Sequence, residues 1–443
     1  MTVFSPAVPS PARERPGAAR DGRTPDRHTR VAVIGTGIAG LVSAHLLASR
    51  HDVTVFEASD RIGGHTVTTE ILDPEGPLAV DAGFIVYNEP NYPNFVRLLA
   101  DLGVETRATS MSFSVTSERP GIEYAGTSLN ALFAQRGNLL RPRYYRFLGD
   151  ILRFNRAARL ALAEGSAGTL GTLAEFLAVN RLSSRLAEHY VIPLTAAIWS
   201  TDPRQILDTP AEFLLRFLDN HRLLHIGGRP TWRVIRGGSQ RYVDRLIRPF
   251  RDRIRTRTPV RQLRRSPGGV EVTTGESREV FDEVVVATHS DQALAMLAQP
   301  TELEWAVLDA IRYQPNHAIL HTDVSVLPRR RRAWASWNYR TPRDPGRPVA
   351  VTYNMTRLQR LPTQTTYCVS LNLEDAIDES RVIARFDFEH PRFTRAAVAA
   401  QARHAEVSGA DRIHYCGAYW GNGFHEDGVV SALAVARRLG VAA

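Results

Sequence analysis

The residues of this chain whose spacing most directly suggests chemistry are three glycines and one acid. Gly35, Gly37 and Gly40 stand in G-x-G-x-x-G order after an apolar run, Val31 to Ile34, and before a helix-like stretch with Leu41, Ala44, Leu46 and Leu47. A second apolar run, Val53 to Phe56, delivers Glu57. Gly35 permits a tight turn, Gly37 lets a pyrophosphate approach the backbone, and Gly40 lets helix and strand pack closely. The helix opening at Ile38 and Ala39 offers free N–H groups and a positive dipole end to phosphates. Glu57 follows at about the 20-residue separation from which a carboxylate accepts a ribose hydroxyl, and its charge argues against a 2′-phosphate. Glycine-rich turns arise in many loops, so the weight lies on the order strand, glycines, helix, strand, acid, which is that of a Rossmann-type βαβ unit.

Other reactive groups are sparse. Cys368 and Cys416 lie far apart in apolar runs and read as small buried hydrophobes, with neither a disulfide framework nor a cysteine metal site. His221 and His225 have i,i+4 spacing, but no carboxylate follows in HExxH order and no metal is expected. All 55 basic residues are arginine and the net charge is +9. The complete preference for arginine reads as compositional bias, so no nucleic-acid partner is expected. Without lysine, no Schiff-base chemistry is open to the chain itself.

Positioning such a cleft takes more than one unit, and 443 residues are enough for two or three. Residues 1–30, rich in Pro, Ala and Arg, read as a disordered tail. No apolar run approaches the ~18 residues needed to span a bilayer; the expectation is a cytoplasmic chain with peripheral membrane contact as an option. Beyond His65, residues 66–77 read as a hairpin, and Asp81-Ala82-Gly83-Phe84 as a close-approach turn. A helix with Pro93 near its start buries Phe95, Leu98, Leu99 and Leu102. Strands are expected within 110–125, then mostly helix from Leu139 to about Leu218. In that stretch Phe147, Ile151, Leu152 and Phe154 alternate with arginines, which suits either a helix with a solvated basic face or an anionic membrane surface. Arg329 to Arg332 beside Trp334 and Trp337 suit a solvated loop or a headgroup interface.

Gly237-Gly238 leads a helix, Val260 to Val272 reads as part of a small meander, and Val284 to Val286 as a buried strand ending at Ala287. Four strand candidates, 318–322, 349–353, 367–373 and 382–388, have no intervening helices and imply an antiparallel sheet. Ile413 to Cys416 is a last strand, 417–423 a glycine-aromatic turn, and Val429 to Leu439 a helix closed by Gly440.

After Glu57 the chain reads Ala58-Ser59-Asp60-Arg61-Ile62-Gly63-Gly64-His65, an E-A-x-x-R-x-G-G sequence that resembles the flavoprotein amine oxidase and phytoene desaturase superfamily. That resemblance implies FAD, wrapped at its pyrophosphate by this extension. It implies a D-x-G turn at Gly83 and Phe84 close to the flavin ring, with Tyr87 as a wall. It also implies Val260 at the adenine, Ala287 at the closing turn, and a C-terminal motif in which Gly417 contacts FAD and the helix around Val429 faces the flavin's pyrimidine edge. Ala418 stands where the superfamily has an acid, so that contact is missing. The implied fold is α/β: a Rossmann-type FAD-binding domain with a parallel sheet (31–87, 231–299 and 409–443) plus a discontinuous α+β substrate domain containing an antiparallel sheet (88–230 and 300–408). Several segments, among them DAGFIVYNEPNYPNF and YCGAYWGNGFHEDG, resemble a bacterial subgroup found with cyclopropane-fatty-acyl-phospholipid synthase-like methyltransferases. It implies a small-molecule or lipid acyl substrate and a methyltransferase as partner. The expected activity is FAD-dependent hydride transfer on an apolar substrate, with His425, Glu426 and Tyr87 as candidate proton-transfer groups. The alternatives are a non-catalytic flavin-binding partner of the methyltransferase, a flavin amine oxidase, and an NAD-linked dehydrogenase that would leave Arg61, Gly63 and Gly64 unexplained.

Overall fold

A computed structural model describes residues 29–117, 121–166, 171–199, 203–341 and 350–442. Except for residues 29 and 30, the expected N-terminal tail lies outside them, as does Val349. Arg30 belongs to the first strand, where its N–H donates to Asp282 at 2.9 Å.

Strands rich in β-branched residues and buried on both faces form a five-stranded parallel sheet, in the order Ile254–Arg255, Asp52–Phe56, Arg30–Ile34, Glu283–Val286, Ile413–Tyr415. Alternation sends Val31 and Val33 to one face and Ala32 and Ile34 to the other. On the first face lie the helices Ile38–Leu47, Pro93–Asp101, Gln240–Leu246 and His425–Arg438. On the second lie the antiparallel meander Gln262–Ser266, Gly269–Thr273, Arg278–Phe281 and the helices Ser290–Met296, Glu302–Leu308 and Arg395–Gln401. Phe95, Leu99, Val307, Leu308 and Ala400 thus pack on the parallel sheet, although boundaries at residues 88 and 300 would place them in the other domain. Domain limits drawn along the chain miss this because the packing partners are distant in sequence.

The second sheet has seven strands in the order Val382–Pro391, Tyr313–His321, Cys368–Leu371, Ala350–Asn354, Trp337–Thr341, Phe113–Ser117, Ile122–Ala125. Each pair is antiparallel except Trp337–Thr341 with Phe113–Ser117, which is parallel. A helical block, including Pro142–Ala163, Leu173–Val179, Ile192–Trp199 and Ala211–Asn220, covers the end of this sheet over Val115, Tyr124, Tyr339 and Val351. Of the apolar residues in the arginine-rich stretch, Leu152 is 53% exposed, whereas Phe147 and Phe154 are buried. No described helix is long and apolar enough to cross a membrane.

The last helix begins at His425, four residues before the expected start at Val429. The early start is stabilised by Asp427, whose carboxylate accepts from the Phe424 N–H at 2.9 Å.

Candidate active site

The glycine turn does what its spacing requires. Gly35 has φ +100°, and a Cβ there would lie 2.9 Å from the Ala287 carbonyl oxygen. At Gly40 a Cβ would lie 2.0 Å from the Gly35 oxygen and 3.0 Å from the Ala287 Cβ, so the helix Ile38–Leu47 rests directly on the turn and on the end of the strand Glu283–Val286. Gly37 differs: no protein atom lies within 4 Å of its Cβ position. Two glycines are closed by the protein and the one between them is left open, which fits a phosphate-bearing group crossing Gly37 at the start of the helix. Ile38 and Ala39 are buried at that start, and Ala287 ties the turn down by donating its N–H to Ile34 at 2.8 Å.

Glu57 is fixed by three donors. Its Oε2 accepts from the Thr36 N–H (3.0 Å) and the Thr36 hydroxyl (2.5 Å), and its Oε1 from the Ser59 N–H (2.9 Å). A carboxylate offers about four acceptor sites, so capacity remains on Oε1 for a ribose hydroxyl. Thr36, absent from the residues singled out in the sequence, also accepts from the Gly63 N–H at 3.2 Å and joins the two glycine segments. Glu57→Gln is expected to weaken FAD binding roughly 10- to 100-fold, because one charge-assisted hydrogen bond is worth about 1.5–3 kcal/mol; titration of flavin fluorescence reads the change, and unchanged affinity would remove Glu57 from the site.

The extension behind Glu57 folds back over the turn. A Cβ on Gly64 would lie 2.8 Å from the Gly37 Cα, and Gly63 has φ +130°. Ala58 is exposed on the rim. Arg61 donates to the carbonyls of Thr66 (2.9 Å) and Gly64 (2.7 Å), so its guanidinium braces the loop. Thr258 and Arg257 donate their N–H groups to the carbonyls of Glu57 (2.9 Å) and Ser59 (2.8 Å). This brings Val260 to the same rim, partly buried beside the meander.

The D-x-G segment is a hub. Gly83 admits no side chain, since a Cβ would lie 1.9 Å from the His65 carbonyl oxygen. Asp81 is fully buried and accepts from Thr68 (2.6 Å), the Ser239 N–H (2.8 Å) and the Gln359 amide (2.9 Å). Burial pushes its carboxyl up to about 7, against the bonds from Thr68 and Ser239. Phe84 stacks on the imidazole of His425 with centroids 3.5 Å apart, and Phe95 and Tyr242 close around the pair.

The three candidate proton-transfer residues take different places. His425 is buried, shares a 2.9 Å hydrogen bond with the Tyr242 hydroxyl, and is pushed down to about 3 by burial, which makes it a neutral positioning residue at ordinary pH. Glu426 accepts from the Asn94 side chain (2.6 Å) and from the N–H groups of Asn94 (3.2 Å) and Phe95 (3.0 Å), so it caps the helix Pro93–Asp101. Tyr87 is buried, with its ring against Tyr92 and Phe95. The three share a neighbourhood around Phe95, but two of them are engaged in holding elements together.

At the C-terminal motif, the Gly417 N–H donates to Ser431 at 2.9 Å and Val429 is buried against the nucleotide-side core. Cys416 is buried, and its thiol is pushed up to about 12. Facing the Gly423–Phe424 turn is an aromatic wall: Trp199 packs on Phe217 (4.7 Å) and Phe393 (5.9 Å), Phe213 stacks on Phe393 (4.9 Å), and Phe217 stacks on Phe424 (5.4 Å). Trp199 is tied to the turn by its indole N–H, which donates to Asn422 at 2.9 Å. A second group, unmarked in the sequence, is imidazole-rich. His65 stands 5.5 Å from His390 and 5.9 Å from His289, which stacks on Tyr313 at 4.1 Å. These residues come from four separated segments that meet where the two sheets adjoin, and local spacing carries no trace of them.

The family's sequence model for flavin containing amine oxidoreductases matches residues 38–440. Among curated proteins, the chain is 27% identical over 325 residues to a carotenoid phi-ring synthase of Streptomyces griseus, covering 67% of this chain and 58% of that protein. It is 25% identical over 281 residues to the putative flavin-containing monoamine oxidase AofH of Mycobacterium tuberculosis, covering 61% of this chain and 59% of that protein. The chain thus spans less than two thirds of the length of these relatives. Among solved structures, cyclohexylamine oxidase from Brevibacterium oxydans IH-35A superposes with a TM-score of 0.67 at 17% identity over 94% of this chain and 100% of that one. A CLA-producing fatty acid isomerase from P. acnes gives a TM-score of 0.67 at 16% identity, over 94% and 99%. With the glycine turn, the braced loop and the C-terminal motif in place, the match over 38–440 gives the conclusion that the chain belongs to the flavin-containing amine oxidoreductase family, whose cofactor is FAD.

Proposed function

We propose that this chain is an FAD-dependent oxidoreductase that moves a hydride between the flavin and an apolar substrate of acyl or polyene character. The observation that carries the substrate class is the aromatic wall of Trp199, Phe213, Phe217, Phe393 and Phe424, which adjoins the start of the C-terminal helix and leaves the Phe213 and Phe424 rings partly uncovered. Relatives named for a carotenoid ring and for a fatty acid isomerase support the same class. FAD, when bound, supplies the two-electron acceptor or donor. The chain's own residues hold and orient it: Glu57 at a ribose, Gly37 and the N-terminus of Ile38–Leu47 at phosphate, and the wall at the substrate's hydrocarbon. His425, neutral and locked between Phe84 and Tyr242, keeps the end of the C-terminal helix in place.

Anaerobic titration of the FAD-loaded protein with carotenoids, free fatty acids, phospholipids and amines tests the reading. Bleaching of the flavin by a polyene or acyl substrate is expected. Bleaching by amines alone would identify an amine oxidase instead. A flavin reduced by dithionite and by none of the organic compounds would favour the non-catalytic methyltransferase partner.

A further inference from the structure

We propose that one exposed face, built by residues 129–146 together with 329–334, is a docking surface for an anionic phospholipid bilayer. The proposal is independent of the oxidoreductase reading. Single exposed leucines are ordinary on any surface. Here Leu140 is 88% exposed, Leu129 76%, Tyr145 49% and Leu139 46%, and all four lie within one short stretch. Leu139, Leu140, Pro142, Tyr145 and Arg146 line a shallow groove, and the Tyr145 hydroxyl donates to the Leu139 carbonyl at 3.0 Å, which keeps the two leucines at the protruding end of the turn Arg136–Leu140.

The fold brings a second stretch to the same place. Ala125, Ala131 and Ala335 pack as one cluster, and Arg330 pairs with the buried Glu123 at 2.9 Å, so the run Arg329–Arg332 sits beside the helix Leu129–Leu132. Residues separated by about two hundred positions thus form one basic and apolar face, with Arg136, Arg141, Arg143, Arg146, Arg329, Arg331 and Arg332 all exposed around the leucines. No acid occurs between Tyr124 and Gly149, nor between Val324 and Arg340. Of the eight arginines here, Arg330 alone meets a carboxylate among the described residues.

Charge complementarity selects an anionic occupant, and the apolar side chains select its class. Protruding leucines need a phase in which to bury. Tyr145, and Trp334 lying 5.5 Å under the Arg331 guanidinium, are the side chains that sit at headgroup depth. A bilayer with anionic headgroups offers charge and hydrocarbon together. Each arginine facing such a leaflet contributes about fivefold to affinity, and the attraction decays within a Debye length.

The test is sedimentation of the full FAD-loaded chain with vesicles of phosphatidylcholine, with and without phosphatidylglycerol. The protein should pellet with the phosphatidylglycerol vesicles alone and be released by high salt. Arg143→Glu/Arg146→Glu/Arg331→Glu should lower that affinity by at least about a hundredfold, and Leu139→Ser/Leu140→Ser should also lower it, with the flavin spectrum unchanged in both. Arg264→Glu/Arg278→Glu, two exposed side chains of the meander, should bind as the parent does. Absence of pelleting, equal pelleting with phosphatidylcholine alone, or an equal loss in the meander variant would each overturn the proposal. So would retention by a soluble acidic protein that competes vesicles away, which would make this a protein-binding face.

Discussion

Gly40→Ala should yield a protein that no longer retains flavin and melts several degrees lower. The added methyl would stand 2.0 Å from the Gly35 carbonyl oxygen and 3.0 Å from the Ala287 Cβ, and neither is the tip of a flexible side chain. The helix must therefore lift from the strand, at the ~1–3 kcal/mol typical of overpacking or more. Lifting it displaces Gly37 and the helix N-terminus together. Gly37→Ala makes the informative companion, because nothing in the protein lies within 4 Å of that methyl. Its apo form should melt as the parent does, while FAD affinity falls at least about tenfold, since the methyl occupies the path of the pyrophosphate. Calorimetry and flavin titration separate the two variants. A Gly37→Ala protein that binds FAD normally would show that the phosphates do not cross this turn.

The protein should unfold in mild acid, nearer pH 5 than pH 3. Five imidazoles, four of them buried and His390 partly so, are depressed chiefly by desolvation: His189, His221, His321 and His390 to about 4, and His425 to about 3, from an ordinary 6.5. His65 is also held well below its usual range, by burial and then by the neighbouring His390 and His289. In the fold these rings stay neutral; once unfolded they protonate below about 6.5. The unfolded chain then binds more protons, so the stability they contribute is complete above that pH and is lost as pH falls from about 6.5 towards 4. Each imidazole accounts for roughly 2 kcal/mol at pH 5, and several together rival a total stability of about 5–15 kcal/mol. Asp81, raised to about 7, and Asp427, raised to about 6, act in the opposite sense, since burial makes them keep their protons in the fold. Two carboxyls offset part of what the imidazoles lose. Urea midpoints measured from about pH 8 down to pH 5 should drop steeply below about 6.5, and His425→Gln should flatten part of the slope. A constant midpoint across that range would contradict the account.

How much was legible in the sequence follows from how local each signal is. The turn at Gly35 to Gly40, the acid at Glu57 and the loop to His65 are contiguous, and the structure assembles them as their order implies. Alternation and apolar runs located most strands of both sheets, because burial on one or two faces leaves a period in the chain, but gave no sign of Ile254–Arg255 or of Trp337–Thr341, which follows an arginine run. Thr36, Tyr242, Ser239, Gln359 and the imidazoles of His289 and His390 gave no such signal, since each acquires its role from a partner far away in sequence. Glu426 shows the opposite difficulty. An acid beside a glycine-aromatic turn invites a chemical role, yet its two oxygens are engaged by Asn94 and Phe95. The arginine-rich stretches had two readings on charge pattern alone, and what adds to them is the position of Arg329–Arg332 beside Leu129–Leu132, a long-range contact.

The clamp that Glu426 places on the helix Pro93–Asp101 has a counterpart at Gly428, where a Cβ would stand 2.7 Å from the side chain of Ile38. The final helix thus seats both the first helix of the chain and the one that its Glu426 caps, and the strand Ile413–Tyr415 completes the sheet begun at Arg30. During synthesis from the N-terminus, the glycine turn emerges hundreds of residues before the elements that hold it. A nascent chain therefore carries the nucleotide turn without its support until the helix His425–Arg438 has emerged, and flavin loading waits on that helix.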